Sequence, residues 1–509
     1  MSVLPPITPL RRPLCLGTFA SFLLMVSSWS SGAQRTRGGI VRYLNLDWIM
    51  YGHIKGIGFV LSWIGLGLLL YSWCVWGRIV YHTSPGVRES VMTLVAWITP
   101  LLFASPMYSR DVYSYLVQGA MVRDGFDPYK DGAAVNPGPM LLEVSPDWRN
   151  TTTPYGPLHL WIGDGITSLV GSNITIGVFL YKFISMAGYA AIAWAIVSIS
   201  RHIGGSPTEA LWLGVANPLV FLHLVGGMHN ESVMVAFSCV GLVFALRRRP
   251  LWGALFIGIG FSLKATALVA LPFLVWIAMR NQGITASASS LCSPRQTVKS
   301  LRRAILSFLF YGTTSLTIVC SVLTAITYMS GSSWGWVSQL SGNTKVINLL
   351  ALPSLLAQFT AAFAASFFPG ATFNSVLSTY RSVSMGVMGI LLVIVWWRFR
   401  QTPRRAIEGA AWAYLITCIF NAVTLPWYYA AGAVLVGTFR PSPRITHFTV
   451  IASLVVAGSF TGSGNNWLYR WSWMWIVITI AFMLYFGAFR GSEDGNDTSR
   501  SATVDTTSR

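Results

Sequence analysis

The sequence predicts an all-α polytopic membrane protein, a bundle of about 13 or 14 crossing helices, and three observations carry that prediction. The 509-residue chain is 53% hydrophobic and only 10% charged. Apolar runs of spanning length recur from one end to the other. Basic residues fall in short clusters between those runs, as the positive-inside bias places them. That distribution accounts for the net charge of +19 without a nucleic-acid partner. The partner it implies is the lipid bilayer.

In chain order, residues 13–29 behind Arg11 and Arg12 read as a first membrane helix rather than a cleaved signal, given the spans that follow. Residues 54–76 form the second. The loop between them, 32–53, carries Arg35, Arg37 and Arg42, yet parity places it outside, against the charge rule. Arg78 and Arg88 put the next gap on the cytoplasmic side, so run 90–108 crosses outward and delivers Asp111 to the outer face.

Residues 109–172 then form a large outer loop with surface helices. It holds seven of the 16 carboxylates: Asp111, Asp124, Asp127, Asp131, Glu143, Asp147 and Asp164. Run 158–170 makes roughly 20 Å of helix against a ~30 Å hydrocarbon core, and it contains Asp164, so it lies in or on the membrane surface.

Runs 174–200, 208–225 and 231–246 cross and bring Arg247, Arg248 and Arg249 inside. Stretch 251–279 is basic at both ends, and a single crossing would strand one cluster outside. Two short helices, 251–263 and 265–279, solve this with Lys264 at their junction; such a break needs protein or a polar cavity around it. Run 304–328 leads to a second outer loop, 329–372, in which 346–368 is interfacial or re-entrant. Run 373–397 returns, and spans near 406–424, 427–439, 445–460 and 470–489 follow, with Arg440 and Arg444 inside. Residues 1–490 thus form one membrane domain, and the polar tail 491–509 reads as disordered and cytoplasmic. Cys74, Cys239, Cys320 and Cys418 lie in apolar runs without CxxC spacing, as buried small hydrophobes do.

Spacing leaves two readings of Asp111 open: a first-turn acid favouring the dipole of a helix capped by Ser109, or a general base at the membrane–water boundary. Asp124-Gly125-Phe126-Asp127-Pro128-Tyr129 is a turn first. Asp127 and Tyr129 are candidate sugar contacts within it, as is Tyr155 in the loop-shaping Pro154-Tyr155-Gly156-Pro157. Asn230 suits a helix cap, but His229 and Glu231 beside Gly226 and Gly227 favour a functional role. A divalent metal is a further reading of them, but their spacing matches no standard metal-ligand set, so no metal or other cofactor is assigned. Lys264 needs a partner or a water-filled cavity, and a phosphate suits its compact ammonium; snorkelling is the alternative. Snorkelling is the preferred account of Lys182. Trp427 and Tyr428 read as an aromatic belt first and a substrate platform second.

Ser109-Arg110-Asp111-Val112-Tyr113-Ser114-Tyr115, with Gln118-Gly119, Asp127-Pro128-Tyr129 and Tyr155-Gly156-Pro157-Leu158, resembles the polyprenyl-phosphomannose-dependent α-1,6-mannosyltransferases of actinobacteria, which extend the mannan core of lipomannan and lipoarabinomannan. The 226–231 motif, Lys264 and Pro426-Trp427-Tyr428 sit where such proteins carry comparable motifs, and the resemblance spans roughly residues 100 to 430. It implies a GT-C-like bundle in the plasma membrane with its active site on the periplasmic, cell-wall side. It also implies a polyprenyl-phosphomannose donor, a mannan glycolipid acceptor, and a catalytic acid matching Asp111. Some GT-C enzymes carry two adjacent acids there; this chain has Arg110-Asp111. Arg110, Lys264 and His229 are then candidate phosphate-side groups, and Tyr113 a further binding candidate. The expected reaction is an inverting displacement with Asp111 as base. The alternative is a transporter or flippase for a lipid-linked sugar. That class is built from paired broken helices, whereas the sequence shows one broken segment.

Overall fold

Backbone in lipid must satisfy its own hydrogen bonds, so apolar runs in a bilayer fold as helices. The computed structural model describes residues 9–35, 38–284, 294–342 and 346–489. Among these, the elements are helical apart from one isolated bridge between Phe460 and Asn466. Arg37 and the tail 491–509 lie outside the described residues.

The first group is α1 (Arg11–Ser31), α2 (Gly52–Thr83) and α3 (Val87–Leu101). The acid-rich loop supplies α4 (Asp111–Arg123) and α5 (Pro157–Val170). Next come α6 (Ile174–His202), the bent segment 207–226, α7 (Glu231–Leu246), α8 (Pro250–Leu263) and α9 (Leu271–Asn281). The chain finishes with α10 (Pro294–Met329), α11 (Leu352–Phe367), α12 (Phe373–Arg398), α13 (Pro403–Phe420), α14 (Pro443–Ala457) and α15 (Trp471–Phe489). Prolines open α5, α8, α13 and α14, where the missing N–H costs no helical bond.

Among the described residues, six helices, α1, α2, α6, α10, α12 and α15, are long and apolar enough to cross a membrane. The expectation of about 13 or 14 crossings counts runs such as 208–225, 231–246 and the two halves of 251–279 as crossings. In the structure several of those runs are shorter helices, and two are broken.

One break is the anticipated hairpin. α8 ends at Lys264, whose backbone is extended (φ −153°, ψ 132°), and a 3-10 turn, Ala265–Ala270, leads into α9. The Asn281 side chain donates to the Ala245 carbonyl at 2.8 Å, so the end of α9 returns to the arginine-bearing end where α8 began. The second break corrects the expectation of a single one: Pro207–Val215 and Pro218–Gly226 meet at 59°. Pro218 drives Asn217 out of helical geometry (ψ 127°). The Asn217 side chain then replaces the lost backbone bonds, accepting from Leu219 N–H and donating to the Leu213 carbonyl and Ser453 Oγ at 3.0, 3.1 and 2.8 Å. Broken-helix number therefore no longer argues against a transporter.

Small residues and tryptophans make the core. Trp73 and Trp212 each donate an indole N–H to the other's carbonyl at 2.9 Å. A Cβ at Gly17 would lie 2.1 Å from the Trp97 ring, so only glycine lets α1 and α3 approach this closely.

Two further corrections and one explanation follow from packing. Lys182 does not snorkel: it is buried, and its ammonium donates to the Leu101 and Ala104 carbonyls at the end of α3. That end has orphan carbonyls, and the cation satisfies them. Cys320 is exposed on α10 rather than buried. Arg35, which broke the charge rule, lies 3.5 Å from Glu143 and donates to Thr175 at 2.9 Å, so a loop carboxylate compensates its charge.

Candidate active site

The acid-rich loop is assembled around one close crossing. A Cβ at Gly119 on α4 would sit 2.2 Å from the Gly163 backbone on α5, so the two loop helices touch main chain to main chain. Most of the loop's carboxylates act locally. Asp124 pairs with Arg123 and accepts from Asn136, which together hold its carboxyl below the usual range. Glu143 is buried against Arg35 and Arg110. Asp147 and Asp164 accept from Ser145 and Ser168.

Asp111 is different. It is the first residue of α4, with Ser109 Oγ accepting its N–H at 3.0 Å. Its Oδ2 lies 3.4 Å from Nδ1 of the fully buried His229, within ion-pair range but without hydrogen-bond alignment. His229 stacks face to face on Trp427, centroids 3.5 Å apart at 16°. Two non-glycine residues just before this pair, Tyr108 (φ 64°) and Met228 (φ 54°), are left-handed, which costs about 1–2 kcal/mol each. Tertiary bonds hold the first: Tyr108 N–H donates to the Gly462 carbonyl at 2.7 Å.

Glu231, two residues beyond His229, opens α7 and pairs directly with Lys264 at the hairpin apex. The ammonium also lies 3.8 Å from the Tyr428 ring centroid and 5.5 Å from that of Tyr155. Gly156 N–H donates at 2.9 Å to the Leu263 carbonyl, which the break leaves without a helical partner. The Tyr155-Gly156-Pro157 motif therefore docks the first loop onto the broken helix.

A buried polar chain backs the site. His159 Nε2 faces Gln118 Oε1, and Asn230 Nδ2 faces His159 Nδ1, each at 3.3 Å. Those partners fix the neutral tautomer with the proton on Nε2. Burial, and then the Lys264 charge, push the His159 pKa down to about 3. Burial, reinforced by Asp111, also holds the Tyr155 hydroxyl well above its usual range. Around the same point, the buried atoms with no hydrogen-bond partner among the described residues include both nitrogens of His229, Asn230 Oδ1, Glu231 Oε2 and Trp427 Nε1. Buried polar atoms are ordinarily satisfied, so this cluster is a set of groups ready for a polar ligand. Among the described residues, no group of three His, Cys, Asp or Glu side chains is placed to hold a metal.

The structure thus gathers Asp111, Tyr155, His229, Asn230, Glu231, Lys264, Trp427 and Tyr428. Four other candidates stand apart. Arg110 directs its guanidinium to Glu143 and to the Gln34 carbonyl, and Tyr113 donates to the Ala33 carbonyl at 3.0 Å. Both hold the loop to the segment after α1. Asp127 accepts from Ser333, and the Tyr129 carbonyl accepts from Gln339, each at 3.0 Å; they join the two loops. His159 escaped the sequence reading, as did His223, whose ring lies 5.5 Å from Trp427, while Gln118 entered it only as part of the motif that carries the resemblance. An imidazole inside an apolar run was the available signal for His223.

By class, this is a multi-pass helical membrane protein that concentrates buried ionisable groups at one end of its bundle. Residues 14–280 match the family described as Alpha-(1->6)-mannopyranosyltransferase, N-terminal domain, and residues 353–490 match the MptB C-terminal domain. Alpha-(1->6)-mannopyranosyltransferase A of Corynebacterium glutamicum is 48% identical over 470 residues, covering 91% of this chain and 95% of that one. The protein of the same name from Mycobacterium tuberculosis is 32% identical over 487 residues, 95% of this chain and 91% of its own. Alpha-(1->6)-mannopyranosyltransferase B of Corynebacterium glutamicum is 27% identical over 391 residues, 72% of this chain and 62% of its own. The chain belongs to the alpha-(1->6)-mannopyranosyltransferase family.

Proposed function

We propose that this protein is a mannosyltransferase that moves mannose from polyprenyl-phosphomannose to a growing α-1,6-mannan glycolipid, at the outer face of the plasma membrane, with inversion. The observation that carries the reading is Asp111 facing His229 beside the Lys264–Glu231 pair. The acceptor oxygen bonds to the anomeric carbon as the bond from that carbon to the phosphate oxygen breaks. The electron pair leaves on polyprenyl phosphate, and the acceptor proton passes to Asp111. A β-mannosyl phosphate thereby yields an α-mannoside. Negative charge grows on the leaving phosphate, and Lys264 is the cation beside it, so no second carboxylic acid is required of the kind glycosidases use.

Support for the outer face comes from charge. Arg398, Arg404, Arg405 and Arg440 line one pocket; Arg280 donates to the Arg400 carbonyl and Asn281 to that of Ala245, next to Arg247, Arg248 and Arg249, at the end of α8 opposite Lys264, where cytoplasmic arginines belong. The test is Asp111→Asn in membranes supplied with labelled polyprenyl-phosphomannose and short α-1,6-mannosides. Transfer is expected to vanish while the protein inserts and melts normally. Near-normal transfer would sink the base assignment, and movement of label across the membrane without mannoside product would favour a flippase.

A further inference from the structure

A cavity of about 700 Å³ is lined by Lys264 and Tyr428 and lies between the α8–α9 hairpin, α12 and the turn at residues 421–423. Its lining includes Lys264 and Arg381, with neutral donors such as Gln339, Asn374 and Asn421, and no carboxylate among the described residues.

Arg381 is the only charged residue between Phe373 and Trp397, in a helix whose remaining side chains are apolar or neutral. An arginine there is costly against lipid. It is not turned to lipid: Leu377 and Ser384, on the same face, are 3% and 7% exposed, and the guanidinium donates to the Val346 carbonyl at 2.7 Å. On the opposite face, Val383, Ile390 and Val393 are about 60% exposed, as side chains meeting acyl chains are. The same helix therefore presents lipid on one side and a cationic cavity on the other. A ligand suited to that arrangement has an anionic head and an apolar tail that remains in the bilayer.

We propose that Arg381 is a second phosphate-binding residue for the lipid-linked donor. The donor's head passes α12 and comes to rest with its phosphate between Arg381 and Lys264. Arg381 suits this position because a guanidinium forks onto two phosphate oxygens, whereas Lys264 acts as a point charge. The inference rests on the lipid-donor reading above and adds where that donor enters and which residue selects it.

The experiment measures binding to full-length protein in nanodiscs, with a polyprenyl phosphate, the same polyprenol without phosphate, and inorganic phosphate as probes. Parent protein is expected to bind the polyprenyl phosphate, with polyprenol and inorganic phosphate each far weaker. Arg381→Gln should weaken polyprenyl phosphate about tenfold or more, the loss expected when a charged hydrogen bond goes, and Arg381→Lys should restore part of it. In transfer assays the donor KM should rise by a similar factor, with kcat and the acceptor KM within about twofold of parent. Unchanged melting of Arg381→Gln, or the rescue by Arg381→Lys, separates this from misfolding. Equal polyprenyl phosphate binding by parent and both variants would overturn the proposal and leave the donor reading standing. A parent that ignores polyprenyl phosphate and uses a soluble sugar donor would overturn both.

Discussion

The backbone N–H of Gly156 donates to the carbonyl of Leu263, joining the acid-rich loop to the helix break that carries Lys264. A Cβ at position 156 would fall 2.3 Å from the Ser262 carbonyl oxygen. Gly156→Ala should therefore displace the loop from the hairpin, cost about 1–3 kcal/mol by overpacking, and lower transfer more than stability accounts for. Melting in detergent, paired with kcat, checks it.

Glu231 and Lys264 form a buried ion pair, with side-chain exposures of 1% and 11%. Removing one partner strands the other, and Glu231→Leu or Lys264→Met alone should each cost about 3–5 kcal/mol. The double variant should recover much of that stability without recovering transfer. Activity returning along with stability would show that the pair is only structural.

His159 is held neutral, its pKa pushed from 6.5 to about 3. Below the unfolded pKa the unfolded chain binds a proton that the folded one refuses, so this contribution is complete above pH 6.5 and declines as pH falls toward 3. His159→Gln should flatten that part of the stability–pH curve, read as a smaller drop in melting temperature from pH 7 to pH 5 than the parent shows.

Lys182 donates to two carbonyls at the end of α3, Leu101 and Ala104. Lys182→Met should destabilise the protein by about 1.5–3 kcal/mol, the value of a charged hydrogen bond, while leaving the donor and acceptor KM unchanged. Thermal melts and steady-state kinetics on the same preparation distinguish it from Lys264→Met.

The hairpin at Lys264 was legible in the sequence because arginines at both ends impose parity, a constraint that survives ignorance of tertiary contacts. The 14-residue length of α5 was legible for a similar reason, since length against bilayer thickness is a one-dimensional comparison. Asn217 was not: its bend depends on Ser453, 236 residues away, and an Asn-Pro step in an apolar run does not announce that partner. Arg110 misled for a related reason. It stands beside Asp111 in sequence, yet helix geometry sends adjacent side chains in different directions, and Glu143 takes this one. His159 lay in a run weighed for its length and for Asp164, although its ring is the middle of the polar chain from Gln118 to Asn230.

Trp427 lies face to face with His229, and Tyr428 sits over Lys264, so two rings from the stretch 353–490 complete a site whose two acids, histidine and lysine, Asp111, Glu231, His229 and Lys264, come from 14–280. The seam between the two halves of the family signature runs through the middle of the site. A fragment ending near residue 280 would keep Asp111, His229, Glu231 and Lys264 but lose the aromatic surface against which the histidine and the ammonium are set. Drift in either half is therefore felt by the other, and the two must evolve as one unit.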